Sequence, residues 1–572
     1  MSILLKQIRV HGFRGLKNVE IDLEPTTVIV GSNNSGKTTL LKAIQLALGN
    51  SHMVTIDDFF YSEESVCDKI IIDTLFIPIN AKNEQVNEFN DVWSTVLTAD
   101  RITITLEGNQ VLSFRTVIQE DFVKKTYKKK QYIIDEWPKF EDQNLSWYQE
   151  NFDNDLNFYF EEIPFYYIDA NRDILDDIKS KTSYFGKLLS SIEYDPVDKN
   201  AIEELIKELN KITIEKSEVL TNLETTLSEL DTAMDNQSST VGLTPFTKKV
   251  KDLNKGVNIN YSEFAMDYHG MGTRSWSSLL VLKSFLKYYQ DKFHAAAKVY
   301  FPIIAVEEPE AHLHPNAQKK LYSQLKTIPG QKIISTHSNY IAGCAELHEI
   351  RSLNKKGPIT IVGAINEEGF TEEELRKIKR QVINTRGELF FSKVVILFEG
   401  ETEEQALPVL TERHFSKTCI ELGIDFIGVG GHGNYSPFIN FCESLNIDYF
   451  IFSDNEIAAH ESVINQINNS NKKDITKVVF LTPGYDFEGY LIADGYLDEI
   501  KIAYLEIELS KCTNERHKAA KTIQINNIPD AEYYKKITDI KTQFAPVISQ
   551  ALLVSAKALP PKIIELFQKI SI

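Results

Sequence analysis

Short apolar runs, bounded by glycine, proline or acidic residues, alternate along the chain with stretches of helical spacing. Thr26–Val30 is β-branched between Pro25 and Gly31 and reads as a buried strand, and Thr38–Leu48 behind it carries helical periodicity. Residues 66–170 read as short strands with loops. Strand–helix alternation resumes around Tyr300–Val306 and Lys332–Ser335. A lysine- and glutamate-rich stretch, Glu367–Arg380, then separates this from a second α/β pattern. That pattern has strands at Val394–Phe398, Phe426–Val429, Tyr449–Phe452 and Val478–Leu481, and a tail from Ile500 that reads mostly helical.

From Ala201 to Leu230 the period changes. Leu205, Leu209, Ile212, Val219, Leu223, Leu227 and Leu230 recur at spacings of three, four and seven among Glu and Lys. The pattern fits a helical hairpin or short coiled coil, either packed on its own domain or serving as a dimerisation element. The polar stretch Met234–Gly242 reads as the loop leading back. The chain therefore divides into 1–171, an insert at 172–245, 246–380 and 388–572.

At 572 residues three or four domain-sized units are expected, and 42% hydrophobic with 25% charged residues is ordinary for a globular protein. No apolar run of about 18 residues predicts a membrane span. The N-terminus reads as a strand carrying charges, not as a signal peptide. Five cysteines lie far apart without a CxxC, which fits a reducing cytoplasm. A net charge of −19 argues against coating nucleic acid through bulk charge, but leaves room for a grip through local lysines and divalent metals.

The strongest chemical signal is Gly31-Ser32-Asn33-Asn34-Ser35-Gly36-Lys37-Thr38, a G-x-x-x-x-G-K-[ST] loop between strand and helix. Glycines let backbone N–H groups wrap phosphates, Lys37 reaches the β/γ oxygens, and the Thr38 hydroxyl binds Mg²⁺. Gly31, Asn33, Asn34, Ser35, Gly36, Lys37, Thr38 and Thr39 are the expected ATP contacts. The apolar strand Phe301–Val306 ends in Glu307-Glu308-Pro309-Glu310. Glu307 is expected to hold the Mg²⁺ shell and Glu308 to polarise the attacking water. His337, after the strand Lys332–Ser335, is placed for a γ-phosphate contact. Gly270 and Gly272 precede a helix and offer backbone donors to an anion. His312-x-His314 lacks further ligands and is not read as a zinc site.

In the last third, Val394–Phe398 ends in Glu399-Gly400-Glu401-Thr402-Glu403-Glu404, and Tyr449–Phe452 ends in Ser453-Asp454-Asn455-Glu456. Carboxylates at strand ends of an α/β sheet point into the crevice where ligands bind. Oxygen-only clusters select Mg²⁺, Mn²⁺ or Ca²⁺, and paired ions stabilise both oxygens of phosphodiester cleavage. Glu488, after the strand Val478–Leu481, is a further candidate ligand. The glycine-rich run Gly428–Asn434 suits a backbone turn beside the site.

The first set of motifs resembles an ABC-type P-loop ATPase of the structural-maintenance and recombination branch, over about residues 1–60 and 260–345. In that branch the signature glycines of one subunit complete the ATP site of its partner, which implies that role for Gly270 and Gly272. Phe13-Arg14-Gly15 is also typical, with Arg14 near the nucleotide, and Asp58 stands where a further metal contact is expected. Glu307 departs from the branch's usual aspartate. The carboxylate set resembles a Toprim α/β domain with a helical C-terminal part, with Glu456 in place of a second aspartate. The succession of the two resembles the overcoming-lysogenization-defect (OLD) family of nucleases. That resemblance implies dimerisation through the helical insert, DNA nicking or cleavage with two divalent metals, and a role in bacterial anti-phage defence. Glu399 and Glu403 match the family's glutamate pair, and Ser453, Asp454 and Glu456 its serine–acid run. A C-terminal lysine is expected to stabilise transition-state charge; Lys541 is the match, with Lys557 and Lys562 as rivals. The expected partners are DNA and further copies of the chain, with room for another defence protein or an RNA.

The one conspicuous basic run, Lys124–Tyr132, interleaves lysine with tyrosine. It reads either as a nucleic-acid contact or as a solvated hairpin tip. The alternative to a nuclease is a DNA-repair or DNA-organising ABC ATPase whose C-terminal domain does no chemistry.

Overall fold

The computed structural model describes residues 2–49, 54–62, 65–121, 126–140, 159–191, 195–221, 260–261 and 264–570. Three larger sheets carry the fold. The first runs Phe165–Ile168, Ile303–Glu307, Gln331–Ser335, Thr26–Val30, Ile350–Lys356 and Ile359–Ala364; its first five strands are parallel and the last returns antiparallel. Thr26–Val30, Ile303–Glu307 and Gln331–Ser335 are buried at every position, as expected for apolar strands covered on both faces. The helix Lys37–Leu48 packs between this sheet and a second, antiparallel one built from Leu16–Asp22, Ser2–Phe13, Lys69–Ile79, Gln110–Asp121 and Thr126–Ile133.

The antiparallel strands are longer than the short elements expected for residues 66–170. Lys69–Ile79 has 11 residues and Gln110–Asp121 has 12. Charges in mid-strand hid that length: Arg115 donates to both oxygens of Asp73 at 2.7 Å, and both side chains are buried. A bidentate pair satisfies the charges inside a core, so the strand continues through them.

Pro196–Glu215 forms a 20-residue helix capped by Asp195, with proline in its first turn. The apolar seam read from the sequence is open to solvent on it, with Leu205 65% and Leu209 50% exposed. Leu223, Leu227, Leu230 and Met234–Gly242 lie outside the described residues.

The third sheet, all parallel, runs Ile424–Gly428, Val394–Phe398, Asp448–Ser453 and Val478–Phe480. Leu497–Ser510, Lys541–Val554 and Pro561–Lys569 pack their apolar faces on one side of it. The Lys/Glu-rich stretch does not separate two bodies as expected. Its helices Glu372–Lys377 and Ile378–Ile383 bury Ile378, Val382 and Ile383 in one core that also holds Val28, Val306, Leu397 and Ile451. The acidic and basic residues that gave a separator composition occupy mainly the outer face of this stretch. Ser352 Oγ and Asn354 Nδ2 donate to the Leu445 carbonyl at 2.6 and 2.7 Å, and Asn446 Nδ2 donates to the Val362 carbonyl at 2.9 Å. A Cβ on Gly363 would stand 2.5 Å from the Leu445 backbone, so glycine is needed for this close approach. Among the described residues, no helix is long and apolar enough to cross a membrane.

Candidate functional site

Two sites lie at strand ends, one on each parallel sheet. The phosphate loop leaves Thr26–Val30 and turns into Lys37–Leu48. Gly31 has φ +149°, and a Cβ there would lie 2.2 Å from the Leu353 carbonyl oxygen; Gly36 has φ +107°. Only glycine allows both the turn and that contact. Lys37 Nζ donates to the carbonyls of Gly31 and Ser32 at 2.7 and 2.9 Å. Burial, outweighing Glu308, Glu310 and Glu307, pushes its pKa down to about 8. Asn33, Asn34 and Thr38 are exposed, Thr39 is half-buried, and the buried Ser35 hydroxyl has no hydrogen-bond partner. This cradle, with an unsatisfied donor inside it, fits a bound polyphosphate.

Thr38 donates to one oxygen of Glu307, and the Tyr167 hydroxyl donates to the other. Glu308 follows at φ +39°, with its Oε1 3.4 Å from His337 Nε2. Burial and the nearby Lys37 charge lower the His337 pKa. Glu310 accepts from Thr336 Oγ1 and from the His337 N–H, each at 2.7 Å. Arg172 donates to the carbonyls of Glu307 and Pro309 at 3.2 and 2.7 Å, clamping the turn that carries Glu308. Sequence reasoning missed Arg172 and Tyr167, since neither belongs to a spaced motif.

Arg14, at φ +48°, donates through Nε to Asp58 Oδ1 at 2.7 Å, and its charge reaches Tyr167. Asp58 also closes on the Thr55 N–H at 2.9 Å, so its carboxylate holds Arg14 and a turn. Gly270 caps the helix Met271–Ala295 and is exposed, while a Cβ on Gly272 would lie 2.4 Å from the His312 carbonyl oxygen. The signature therefore packs against the loop that follows Glu308. Within the basic run, Lys124 and Lys125 lie outside the described residues. The rest is the strand Thr126–Ile133, from which Lys129 and Gln131 donate to the carbonyls of Gly49 and Ala47 and cap the phosphate-loop helix. These two contacts give the run an internal role beside either reading, and Lys128 and Lys129 stay exposed.

On the third sheet, Val394–Phe398 and Asp448–Ser453 are neighbours in register, Leu397 opposite Ile451, which sets Glu399 beside Ser453 and Asp454. Ser453 Oγ and the Tyr435 hydroxyl donate to Glu399 Oε1 at 2.7 and 3.4 Å. Glu403 lies in the first turn of the helix Glu401–Phe415 and is 2% exposed; Gly400 leaves space for its carboxylate to fold back. Burial raises the pKa of Glu399, Glu403 and Asp454. The charge of Glu488 raises Glu403 further, and the charges of Glu403 and Glu399 raise Asp454. Glu403 Oε2 and Asp454 Oδ1 are buried with no hydrogen-bond donor. Among the described residues no three acids already close around one point as a finished metal cage. Two orphaned carboxylate oxygens in a buried acidic cluster nevertheless fit hard, oxygen-seeking cations.

Glu488 is fully buried and accepts from Thr402 Oγ1 at 2.6 Å and from Lys541 Nζ at 3.0 Å. Of the three candidate lysines, Lys541 therefore reaches the cluster. Lys557 pairs with Glu499 and Lys562 with Glu565. Glu456 stands exposed at the start of the helix Ile457–Asn468, outside the buried set. Asp486, which sequence reasoning passed over, bears on Asp454 by charge, caps the Gly489 N–H at 2.8 Å and accepts from Tyr534 at 3.0 Å. An aspartate at a helix start reads as an ordinary cap, which masked it. In the glycine-rich turn, Gln466 and Ser462 donate to the His432 carbonyl at 2.7 and 3.0 Å.

These features define a class: a P-loop ATPase joined to a Toprim domain. The AAA ATPase domain model matches residues 4–342, and the overcoming-lysogenization-defect-protein-like TOPRIM domain model matches residues 390–455. The chain belongs to the OLD-type family of AAA ATPase–Toprim proteins. It is 22% identical to an OLD nuclease of Thermus scotoductus, over 79% of this chain and 82% of that protein. Against the endonuclease GajA of Bacillus cereus it is 23% identical, over 77% of this chain and 72% of that one. An uncharacterized protein of Escherichia coli, YbjD, matches at 22% over 34% of this chain, which spans 36% of that protein's length.

Proposed function

We propose that the chain binds and hydrolyses ATP and is a divalent-metal-dependent DNA endonuclease, nicking or cleaving DNA in bacterial anti-phage defence. The observation that carries this reading is the Glu399–Glu403–Asp454 cluster, in which one buried oxygen each of Glu403 and Asp454 lacks a donor, with Lys541 held beside it by Glu488. The relatives named as nuclease and endonuclease align over most of the chain and support it.

Glu399, Glu403 and Asp454 hold the cations, Mg²⁺ first with Mn²⁺ and Ca²⁺ as alternatives, and Glu456 and Glu488 are the outer candidates. Bound ions of this kind activate water and stabilise the leaving oxygen of a phosphodiester. Ser453 and Tyr435 fix the Glu399 carboxylate, and Lys541 stabilises charge that develops on the phosphate. At the nucleotide, Lys37 exchanges its two backbone carbonyls for phosphate oxygens. Thr38 and Glu307 share the Mg²⁺ shell, Glu308 orients water, and His337 beside it meets the terminal phosphate. Gly270 and Gly272 complete a partner's site in a homodimer formed through the exposed leucine seam of Pro196–Glu215.

Incubating the full chain with supercoiled and linear DNA, with metal and nucleotide varied independently, tests the reading. The expected result is nicked or linear product that requires divalent metal and disappears in Glu399→Gln. Undiminished cutting in EDTA or by that variant overturns it.

A further inference from the structure

A cavity of about 450 Å³ opens at the N-terminal ends of the strands Phe165–Ile168 and Ile303–Glu307. It lies at the opposite end of the sheet from Glu307 and the phosphate loop. Its walls are mainly aromatic, Tyr159, Tyr289, Phe293 and Tyr300, with Tyr166 in the floor, and one acid, Glu161, also lines it. Tyr289 and Tyr300 present near-parallel rings, 25° apart with centroids at 6.4 Å, and Phe293 leans on Tyr300 at 4.9 Å. The floor is fixed. The Tyr166 and Tyr300 hydroxyls bond each other at 2.9 Å, and Tyr184 and Phe285 pack edge-on behind Tyr166. The outer wall is open, with Tyr159 59% exposed.

Two ammonium groups stand over these rings: Lys292 Nζ lies 5.9 Å from the Tyr289 centroid, and Lys298 Nζ 5.9 Å from that of Phe293. Among the described residues neither forms a salt bridge. The helix Met271–Ala295 adds Lys283 and Lys287 ahead of them, with Asp291 its only acid. In a chain of net charge −19, Lys292 and Lys298 outnumber the single acid Glu161 in the lining of this aromatic pocket. Ring faces that accept any base, flanked by cations that accept phosphate, are the chemistry of unpaired nucleotide recognition. The cavity also lies in the size range of a small-ligand site.

We infer that this pocket binds one unpaired nucleotide, stacking its base on the Tyr289 and Tyr300 rings with its phosphate between Lys292 and Lys298. The source consistent with the proposed nuclease function, on which that assignment rests, is a single-stranded end or flap of the DNA substrate. A free mononucleotide offers the same chemistry.

Fluorescence anisotropy of a short labelled oligothymidylate with the full chain, in EDTA so that no cutting occurs, tests the pocket. Tyr289→Ala should weaken binding about tenfold, while Tyr289→Phe retains it. Lys292→Glu combined with Lys298→Glu should make the salt dependence shallower by about 0.7 log units per decade, the contribution of the one phosphate that is no longer neutralised. Blunt duplex binding should not respond to Tyr289→Ala. Competition by dAMP at oligonucleotide-like concentrations identifies a free nucleotide as the occupant; failure to compete identifies the strand. Thermal melts and ATPase rates matching the parent establish that the variants fold. Parental affinity and salt slope in both the Tyr289→Ala and the double-lysine variants overturn the inference. Cutting is not read, so an inactive Toprim site leaves this result standing, and a failed pocket leaves the plasmid test untouched.

Discussion

The two strand-end sites solve opposite electrostatic problems. At the phosphate loop the chain satisfies its charged groups itself, though not the Ser35 hydroxyl: Lys37 rests on two carbonyls, and Glu307 accepts from Thr38 and Tyr167. At the Toprim site Glu403 and Asp454 keep buried oxygens with no donor, and their neighbours are acids. A ligand at the first site must displace internal hydrogen bonds, whereas a cation at the second removes an existing cost. The loop is a closed latch, and the carboxylate cluster is a loaded one.

Breaking the cluster should have the largest effect. Asp454→Ala or Glu399→Ala is expected to lower plasmid cutting by at least about a hundredfold, more than changes to residues that merely support metal ligands usually cost, with ATP binding intact. Equal loss of ATP binding would show that the two sites are not separable in this way. Next, Lys37→Ala should weaken ATP by about a hundredfold, about 2.7 kcal/mol, in calorimetric titration. Metal binding at the Toprim site should be unaffected. Thermal melting sharpens the contrast further. Saturating Mg²⁺ at about a hundred times its Kd should stabilise the chain by about 2.7 kcal/mol. At a pH above about 9, where the Asp454 carboxyl is ionised, Asp454→Asn should raise the melting temperature of the metal-free protein and shrink that gain, because it removes the unpaired charge itself. An unchanged melting temperature in the metal-free variant would refute the loaded-cluster reading. The smallest effect is expected for Lys557→Ala, whose pairing with Glu499 is half-exposed. It should cost less than about 1 kcal/mol and leave cutting intact, whereas Lys541→Ala should impair cutting.

Much of this was legible wherever a short apolar run meets a chemical residue. Val394–Phe398 stands in the structure with the bounds its five apolar residues mark, and Glu399 follows it directly. The phosphate loop was equally readable, because its glycines and lysine occupy fixed spacings. Legibility failed where pairing across the fold replaces local pattern. Asp73 and Arg115 interrupt their strands in sequence and meet 42 positions apart. Arg172 clamps the carbonyls beside Glu308 from 135 and 137 positions away, a distance at which one sequence carries no signal. Lys129 reaches the Gly49 carbonyl from 80 positions away, a contact that nothing local announces. Glu367–Arg380 misled through composition, since the buried Ile378, with Val382 and Ile383 just beyond it, does more to place that stretch than its many charges.

The junction between the halves has a practical consequence. His337 lies 6.1 Å, ring to ring, from Phe391, and Phe390 packs at 5.2 Å on Phe441 of the Toprim helix Ser436–Ser444. A gene divided near residue 388 would thus encode two polypeptides, each stripped of part of its interior. Separately expressed fragments should be insoluble alone and recoverable when produced together, much as the pieces of a split reporter are. Swapping Toprim modules between relatives would require carrying Ile378–Phe391 along with the graft.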